Sequence, residues 1–558
     1  MTTHDEGSSR RQFLRRTGIG IAGIAAAGGA VGAGYAISAN TPRTVHPAEF
    51  TPLPERPEPG FDHVVVLMFE NRSFDNILGR LYTADEKTAA EFDGIAQGDF
   101  ANHAPDGTRV EAHVYTGPTD RIMQQPQPDP GETYPHVNTQ LFDIVHPPAN
   151  APTPNTPATN SGFVRDYVAT YRASLHREPT EAEYRVAMGG FSPEMLPVFS
   201  TLARQFAVYD RWFGAVPSQT YCNRSFFHAS TSHGFVVNYT DGSYEKWLKA
   251  PASATIFTRL EEAGIPWRVY YDPTQLISLT GLIHAPALEK YWKTNFRDMT
   301  QFYADAAAGD LPAYSFIEPR MVFNHNDMHP PVGTLREGEF DGHPIYNSAL
   351  SDVRAGEALL HTVYSSLRGA RSEKGSNALN TALLITFDEH GGTFDHVPPP
   401  TAVPPTRDAP KGEMGFAFDR LGCRVPAILV SAYTASGSII HDEMHHGSLI
   451  STLSRLHGLE PLTRRDATAN NVFNAINLTT PRQPYEWPTT HPQYLPPNPE
   501  STPKPHEEHK HRPLSAPAQG LLGLLLARYE PTADLPKTYG EAYDALIKHG
   551  QGLFGDRD

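Results

Sequence analysis

At 558 residues the chain is long enough for one to four domains, and its 39% hydrophobic and 10% aromatic content is that of a folded protein, which excludes a disordered one. A formal charge of -16 excludes a general basic field, so neither nucleic-acid binding nor strong docking on anionic membranes is expected. The 51 prolines, about nine per cent, call for long stiffened loops around the core.

Residues 1–39 read as a twin-arginine-type signal peptide. Paired Arg10 and Arg11 precede Phe13-Leu14, and an uncharged Gly/Ala/Ile-rich run extends from Gly18 to about Ala39. That run is just long enough to span a membrane, but its many glycines make it a poor span. Export is therefore expected, with the twin-arginine machinery as a partner and a secreted, periplasmic or envelope location. Residues 40–60 form a Pro-rich leader without periodicity.

The stretch from Val64 to Asp75, VVVLMFENRSFD, opens the main domain. Val64 to Met68 is an unbroken apolar run, the pattern of a strand buried on both faces in a parallel sheet. Glu70, Asn71 and Arg72 follow where the strand should end, and ligands of open α/β sheets sit at the carboxyl ends of strands. A carboxylate beside a carboxamide supplies hard oxygen donors for a divalent cation.

Residues from about 83 to 157 look loop-like and carry two His-bearing clusters, around His136 and His146. Helical spacing appears from Met195 to Phe206, and Ala207 to Asp210 reads as a short strand ending in an acid. The turn Pro217-Ser218-Gln219-Thr220-Tyr221-Cys222-Asn223-Arg224 leads into a short helix expected to stop at Gly234, with Thr220 at its N-terminus. Backbone N–H groups there favour an anion.

Further strands are expected at Trp267 to Tyr271, Tyr314 to Ile317, Ala382 to Phe387 and Pro426 to Ser431. Helices are expected from Ser351 to Leu367 and from His446 to Leu456. Alternation of this kind predicts a three-layer α/β/α sandwich with a mostly parallel sheet over residues 61–478. Residues 479–520 are a Pro/His-rich linker whose His506–His511 tract reads as solvated, and 521–558 a helical appendage. Cys222 and Cys423 are the two cysteines, leaving either one disulfide or two free buried thiols.

A second anchor is Thr386 to Val397, TFDEHGGTFDHV, directly after another apolar run. Asp388 and Glu389 repeat the placement of oxygen donors at a strand's end, and Gly391-Gly392 allows a sharp turn. Carboxylates at separate strand ends are how a metal phosphoesterase assembles its ligands from distant sequence. Asp395-His396 is either a further part of that set or a salt-bridged turn. Histidines also recur beside acids at Asn326-Asp327-Met328-His329, Asp341-Gly342-His343 and Glu443-Met444-His445-His446.

Taken in order, ENRSFD, TYCNR, NDMHPP, DGHP and DEHGGTFDHVPPP resemble the bacterial phosphoesterase family of phospholipases C and acid phosphatases. That family is similar in fold to the alkaline-phosphatase superfamily. The resemblance covers about Phe61 to Asp466. It implies one divalent ion, of Zn, Ca or Mn type, held by Glu70, Asn71, Asp388 and Glu389, with Thr220 as nucleophile. It further implies phosphoryl contacts from His329 and His343, and substrate contacts from Asn223, Arg224, His146 and His446. Cys222 departs from the family, which has Pro there. The implied activity is phosphoric ester hydrolysis, with a phosphatidylcholine-type phosphodiester preferred on the resemblance alone. Hydrolysis of soluble phosphomonoesters and a non-catalytic binding protein on the same scaffold are the alternatives.

Overall fold

A computed structural model describes residues 52–494 except 89, 145–155, 241–243, 273–277, 322–324, 332–337, 341–342, 346–350 and 408–410. Beyond these it describes residues 511, 514, 516–545 and 548–549. The signal, and the Gly18 to Ala39 run within it, lie outside the described residues, as does His146. No described helix is long and apolar enough to cross a membrane.

Eight strands make one sheet: β1 (His63–Phe69), β2 (Ala207–Tyr209), β3 (Trp267–Tyr271), β4 (Phe296–Asp298), β5 (Tyr314–Glu318), β6 (Thr381–Phe387), β7 (Ala427–Val430) and β8 (Ser438–Ile440). Their order is β8-β2-β7-β6-β1-β5-β3-β4. Only β7 runs against its neighbours β6 and β2; the other adjacent pairs are parallel. The helices that matter below are α1 (Phe74–Ile77), α2 (Tyr134–Phe142), α3 (Phe163–Leu175), α4 (Pro197–Gln205), α5 (Thr220–Ala229), α6 (Val353–Gly369), α7 (Gly447–His457) and α8 (Ala516–Tyr529).

β1 and β6 are at the centre because their runs are apolar on both faces. Phe69 and Phe387 meet Phe199 of α4 on one side of the sheet. Phe316 of β5, of opposite parity, meets Phe227 and His228 of α5 on the other. The domain is thus the expected α/β/α sandwich, with a mostly parallel sheet.

Two expectations need correction. The region from 83 to 157 is not all loop, because α2 buries Val137 and Leu141 against Phe163, Val164 and Tyr167 of α3 in a second apolar cluster. The surrounding Gly, Pro, Asp and Asn hide that short amphipathic segment. Helix α5 stops at Ser230, not Gly234. Ser230 takes the left-handed conformation at φ 56°, and Thr463 Oγ1 bonds its hydroxyl at 2.8 Å.

Cys222 and Cys423 are both free and buried. Trp487 is buried against Phe206 and Tyr364, so the chain after β8 lies along the core. Leu521, Leu522, Leu524 and Leu525 of α8 join the main apolar cluster.

Glu357 of α6 accepts from the Val198 and Phe199 N–H groups at the start of α4, at 2.9 and 2.7 Å. Burial pushes its carboxyl up to about 8, against the pull of those two bonds. A folded-state value above the ordinary 4.5 means that the folded chain keeps this proton longer. Stability should therefore fall as pH rises from about 4.5 to about 8. Glu357→Gln, which cannot ionise, should flatten that fall by on the order of 5 kcal/mol. Urea unfolding at the two ends of the window checks this; the same pH dependence in both proteins would contradict it.

Candidate active site

The site grows from the register of β1 on β6, in which Phe69 lies opposite Phe387. Both strands end together, so Glu70 and Asn71 emerge beside Asp388 and Glu389. The two exits are laced: Asp388 N–H donates to Phe69 O at 3.0 Å, Asn71 N–H to Asp388 Oδ1 at 3.0 Å, and Arg72 N–H to Glu389 O at 3.0 Å. Asn71 takes φ 56°, which turns the chain away from the strand direction. Gly391 makes the matching turn at φ 59°, and a Cβ there would fall 2.2 Å from Asn71 O. Only glycine permits that approach.

Thr220 reaches the same place from the other side as the first residue of α5, after the N-cap Gln219. Its Oγ1 donates to Glu70 Oε2 at 3.4 Å, and the residue is 7% exposed. Arg224, one turn along α5, bonds Glu70 Oε1 and lies 3.6 Å from Asp388 Oδ2. Asn223 spends its side chain on the preceding turn. Its Oδ1 accepts from Ala215 and Val216 N–H, and its Nδ2 donates to Val216, Ser218 and Gln219 carbonyls. Asn223 is thus a buried support for the Thr220 turn, and Arg224 a buried counter-charge for its acids whose Nε and Nη1 have no hydrogen-bond partner.

His446 is likewise internal. Its Nε2–H donates to Asp388 O, and its Nδ1 accepts from Trp212 Nε1–H at 3.4 Å. Burial pushes it down to about 4, consistent with a neutral ring that steadies the Asp388 backbone. His329 does stand at the site: its Nδ1–H donates to Pro330 O at 2.6 Å, leaving Nε2 to accept from Asn71 Nδ2 at 2.8 Å. His343 begins a short strand, His343–Ile345, paired with Gly338–Phe340. Its side chain lies outside the described residues.

What the early loop brings to the site is Glu132. Its Oε2 accepts from Asn71 Nδ2 and its Oε1 from Gln219 Nε2 at 3.0 Å. His136, four positions on, is instead tied to Asp166 at 2.7 Å. The Glu132 contacts depend on how the loop folds back over β1, and no spacing in the sequence signals that. Asp395 and His396 form the salt-bridged turn. Arg424 donates to Asp395 at 2.8 Å and Asp75 at 3.1 Å, so a guanidinium already supplies the cation of that cluster.

The residues present fit a divalent ion. Asn71 Oδ1, Asp388 Oδ2 and Glu389 Oε1 are buried oxygens with no hydrogen-bond partner, one from each of three expected ligands. Burial pushes Glu70 well above the usual carboxylate range against Arg224, and Asp388 and Asp327 add to the rise. Glu389 is raised in the same direction by burial and by the Glu132 and Asp388 charges. Hard, buried and crowded oxygen donors are what a divalent cation would relieve. The amide of Asn71 leaves Oδ1 free for this because Glu132 and His329 hold its nitrogen. Asp129, Glu132 and His329 also bring ligand atoms within 4.8 Å of one another, but Asn71 Nδ2 is bonded to two of the three.

Removing the guanidinium tests this charge balance. Arg224→Met should cost about 3–5 kcal/mol, because Glu70 and Asp388 lose their buried counter-charge. Added divalent ion should recover part of that loss in thermal unfolding; an unchanged melting temperature would contradict it.

The sequence profile of the Phosphoesterase family matches residues 61–460. A protein named non-specific phospholipase C1 from Arabidopsis thaliana is 33% identical over 441 residues, 75% of this chain and 72% of that protein. Phospholipase C B of Mycobacterium tuberculosis is 25% identical over 477 residues, 77% of this chain and 80% of that protein. Among solved structures, an alkaline phosphatase superfamily protein from Vibrio parahaemolyticus is 14% identical with a TM-score of 0.29, over 49% of this chain and 64% of that one. That score is too low to carry anything further.

Proposed function

Because the chain belongs to the Phosphoesterase family and is a phosphoric ester hydrolase, we propose that it is an exported phospholipase C that cleaves a phospholipid phosphodiester through Thr220. The observation that carries the reading is the contact of the Thr220 hydroxyl with Glu70 at the end of β1, where Asn71 and the adjoining Asp388 and Glu389 leave buried oxygens without hydrogen-bond partners. The lipid substrate is carried over from relatives that bear the phospholipase C name.

Glu70, Asn71, Asp388 and Glu389 would hold a divalent ion, which when bound supplies positive charge beside the hydroxyl and the phosphoryl oxygens. Glu70 Oε2 is the acceptor towards which the Thr220 hydroxyl proton points. Thr220 Oγ attacks phosphorus as its proton passes to Glu70 Oε2. The bond to the glyceryl oxygen breaks, and that oxygen takes up a proton from solvent to leave as the diglyceride alcohol. Water then cleaves the phosphodiester formed on Thr220, releasing the phosphorylated headgroup and restoring the hydroxyl. The N-terminus of α5 faces the developing charge with backbone N–H groups. Asn223 holds the turn that aims Thr220. Glu132 and His329 hold the Asn71 amide. His343, by the family resemblance, would meet the phosphoryl group.

Thr220→Ala should abolish nearly all turnover while substrate binding largely survives, and Thr220→Ser should retain substantial activity. If Thr220 serves only the helix start, Thr220→Ala would instead cost about 1 kcal/mol of stability and leave turnover intact. Measuring kcat and melting temperature on phosphatidylcholine separates the two outcomes.

Export through Arg10 and Arg11 is part of the same reading, and a receptor reads that pair rather than bulk hydrophobicity. Replacing both with Lys should hold folded protein in the cytoplasm. Fractionation that finds the variant outside the membrane at normal levels would contradict the assignment.

A further inference from the structure

We propose that Glu132 is a specificity-determining residue, one that disfavours dianionic phosphate monoesters and so leaves monoanionic phosphodiesters as substrates. The proposal rests on the phosphoesterase reading of the site and deepens it by naming the substrate's charge class and the residue that selects it.

The carboxylate of Glu132 bridges the Thr220 turn and the end of β1. Through Oε1 it holds Gln219, the residue immediately before Thr220. Through Oε2 it holds Asn71, and His329 Nε2 lies 4.0 Å from the same oxygen. At 17% exposure its side chain is more open than Thr220, Asn71 or His329.

Asn71 and Gln219 are neutral amides, and no lysine or arginine is ion-paired with Glu132 among the described residues. Arg224 is ion-paired with Glu70 and Asp388 and makes no ion pair with Glu132. Asp129 Oδ1 is 3.9 Å from His329 Nδ1, but burial and the neighbouring Glu132 push its carboxyl well above the usual range, so the negative charge on this side is that of Glu132.

A phosphate monoester near neutral pH carries close to two negative charges, because its second ionisation falls near pH 6. A phosphodiester carries one. The additional charge must be brought towards Glu132 in a partly buried site, where like charges repel far more than in water. The repulsion acts on the monoester preferentially, and selectivity is that difference between the two substrates.

The test uses the purified full chain with its divalent ion and two substrates that share one leaving group, 4-nitrophenyl phosphate and methyl 4-nitrophenyl phosphate. Glu132→Gln should lower overall activity, because the amide cannot accept from both Asn71 and Gln219. It should nevertheless raise the monoester-to-diester ratio of kcat/KM by about tenfold. Glu132→Asp keeps the charge and should move the ratio much less. If Glu132→Gln does not accumulate as folded protein, Glu132→Ser makes the same charge change with a smaller side chain and should give the same rise. A merely structural role slows both substrates alike, so an unchanged ratio in the neutral variants would overturn the proposal. If the unsubstituted protein hydrolysed neither substrate nor phosphatidylcholine, the phosphoesterase reading would fail first and take the proposal with it.

Discussion

The parallel pairing of β1 with β6 is the constraint on which the rest depends. Phe69 lies opposite Phe387, so the next residues of each strand leave the sheet at one point. A slip of one residue would break the pairing of Phe69 with Phe387 and put Glu70 out of step with Asp388. The aromatic contacts of Phe69 and Phe387 with Phe199 hold the same register from the core side. Packing and chemistry are therefore set by one set of strand contacts.

That arrangement concentrates negative charge where water is largely excluded. Glu70, Asp388 and Glu389 are buried within a few residues of the strand ends, with Glu132 and Asp327 near them. Arg224 compensates part of this charge, and it does so from the helix that presents Thr220. The Thr220 hydroxyl, the guanidinium and the acids are consequently locked to one another: α5 cannot shift without breaking the Glu70 contacts. The oxygens left without partners lie on the residues that would ligate a cation. The second acidic cluster, Asp75 with Asp395, has its positive charge built in as Arg424 and serves as scaffold.

Much of this was legible in the sequence because strands buried on both faces leave continuous apolar runs. The expected Val64 to Met68 and Trp267 to Tyr271 strands are found as His63–Phe69 and Trp267–Tyr271, and the polar residues after them mark the cleft. The short strands Phe296–Asp298 and Ser438–Ile440 leave no such run and were not anticipated. Glu70, Asn71, Asp388, Glu389 and Thr220 carried recognisable local patterns. Glu132 did not, since its place beside Asn71 comes from a loop returning over β1, and a lone carboxylate next to a helix start looks like any solvated acid. For Asn223, Arg224 and His446 the sequence indicated proximity but not direction. Their side chains point inward to the Thr220 turn, the Glu70 carboxylate and the Asp388 carbonyl.

The central claim is that the ends of β1 and β6 gather a cation-binding set beside Thr220. Anomalous diffraction from crystals grown with Mn²⁺ tests it most directly. The account predicts a single strong peak within about 2–2.6 Å of oxygens from Glu70, Asn71, Asp388 and Glu389, next to the Thr220 hydroxyl. A peak among Asp129, Glu132 and His329 with none at the strand ends would contradict it.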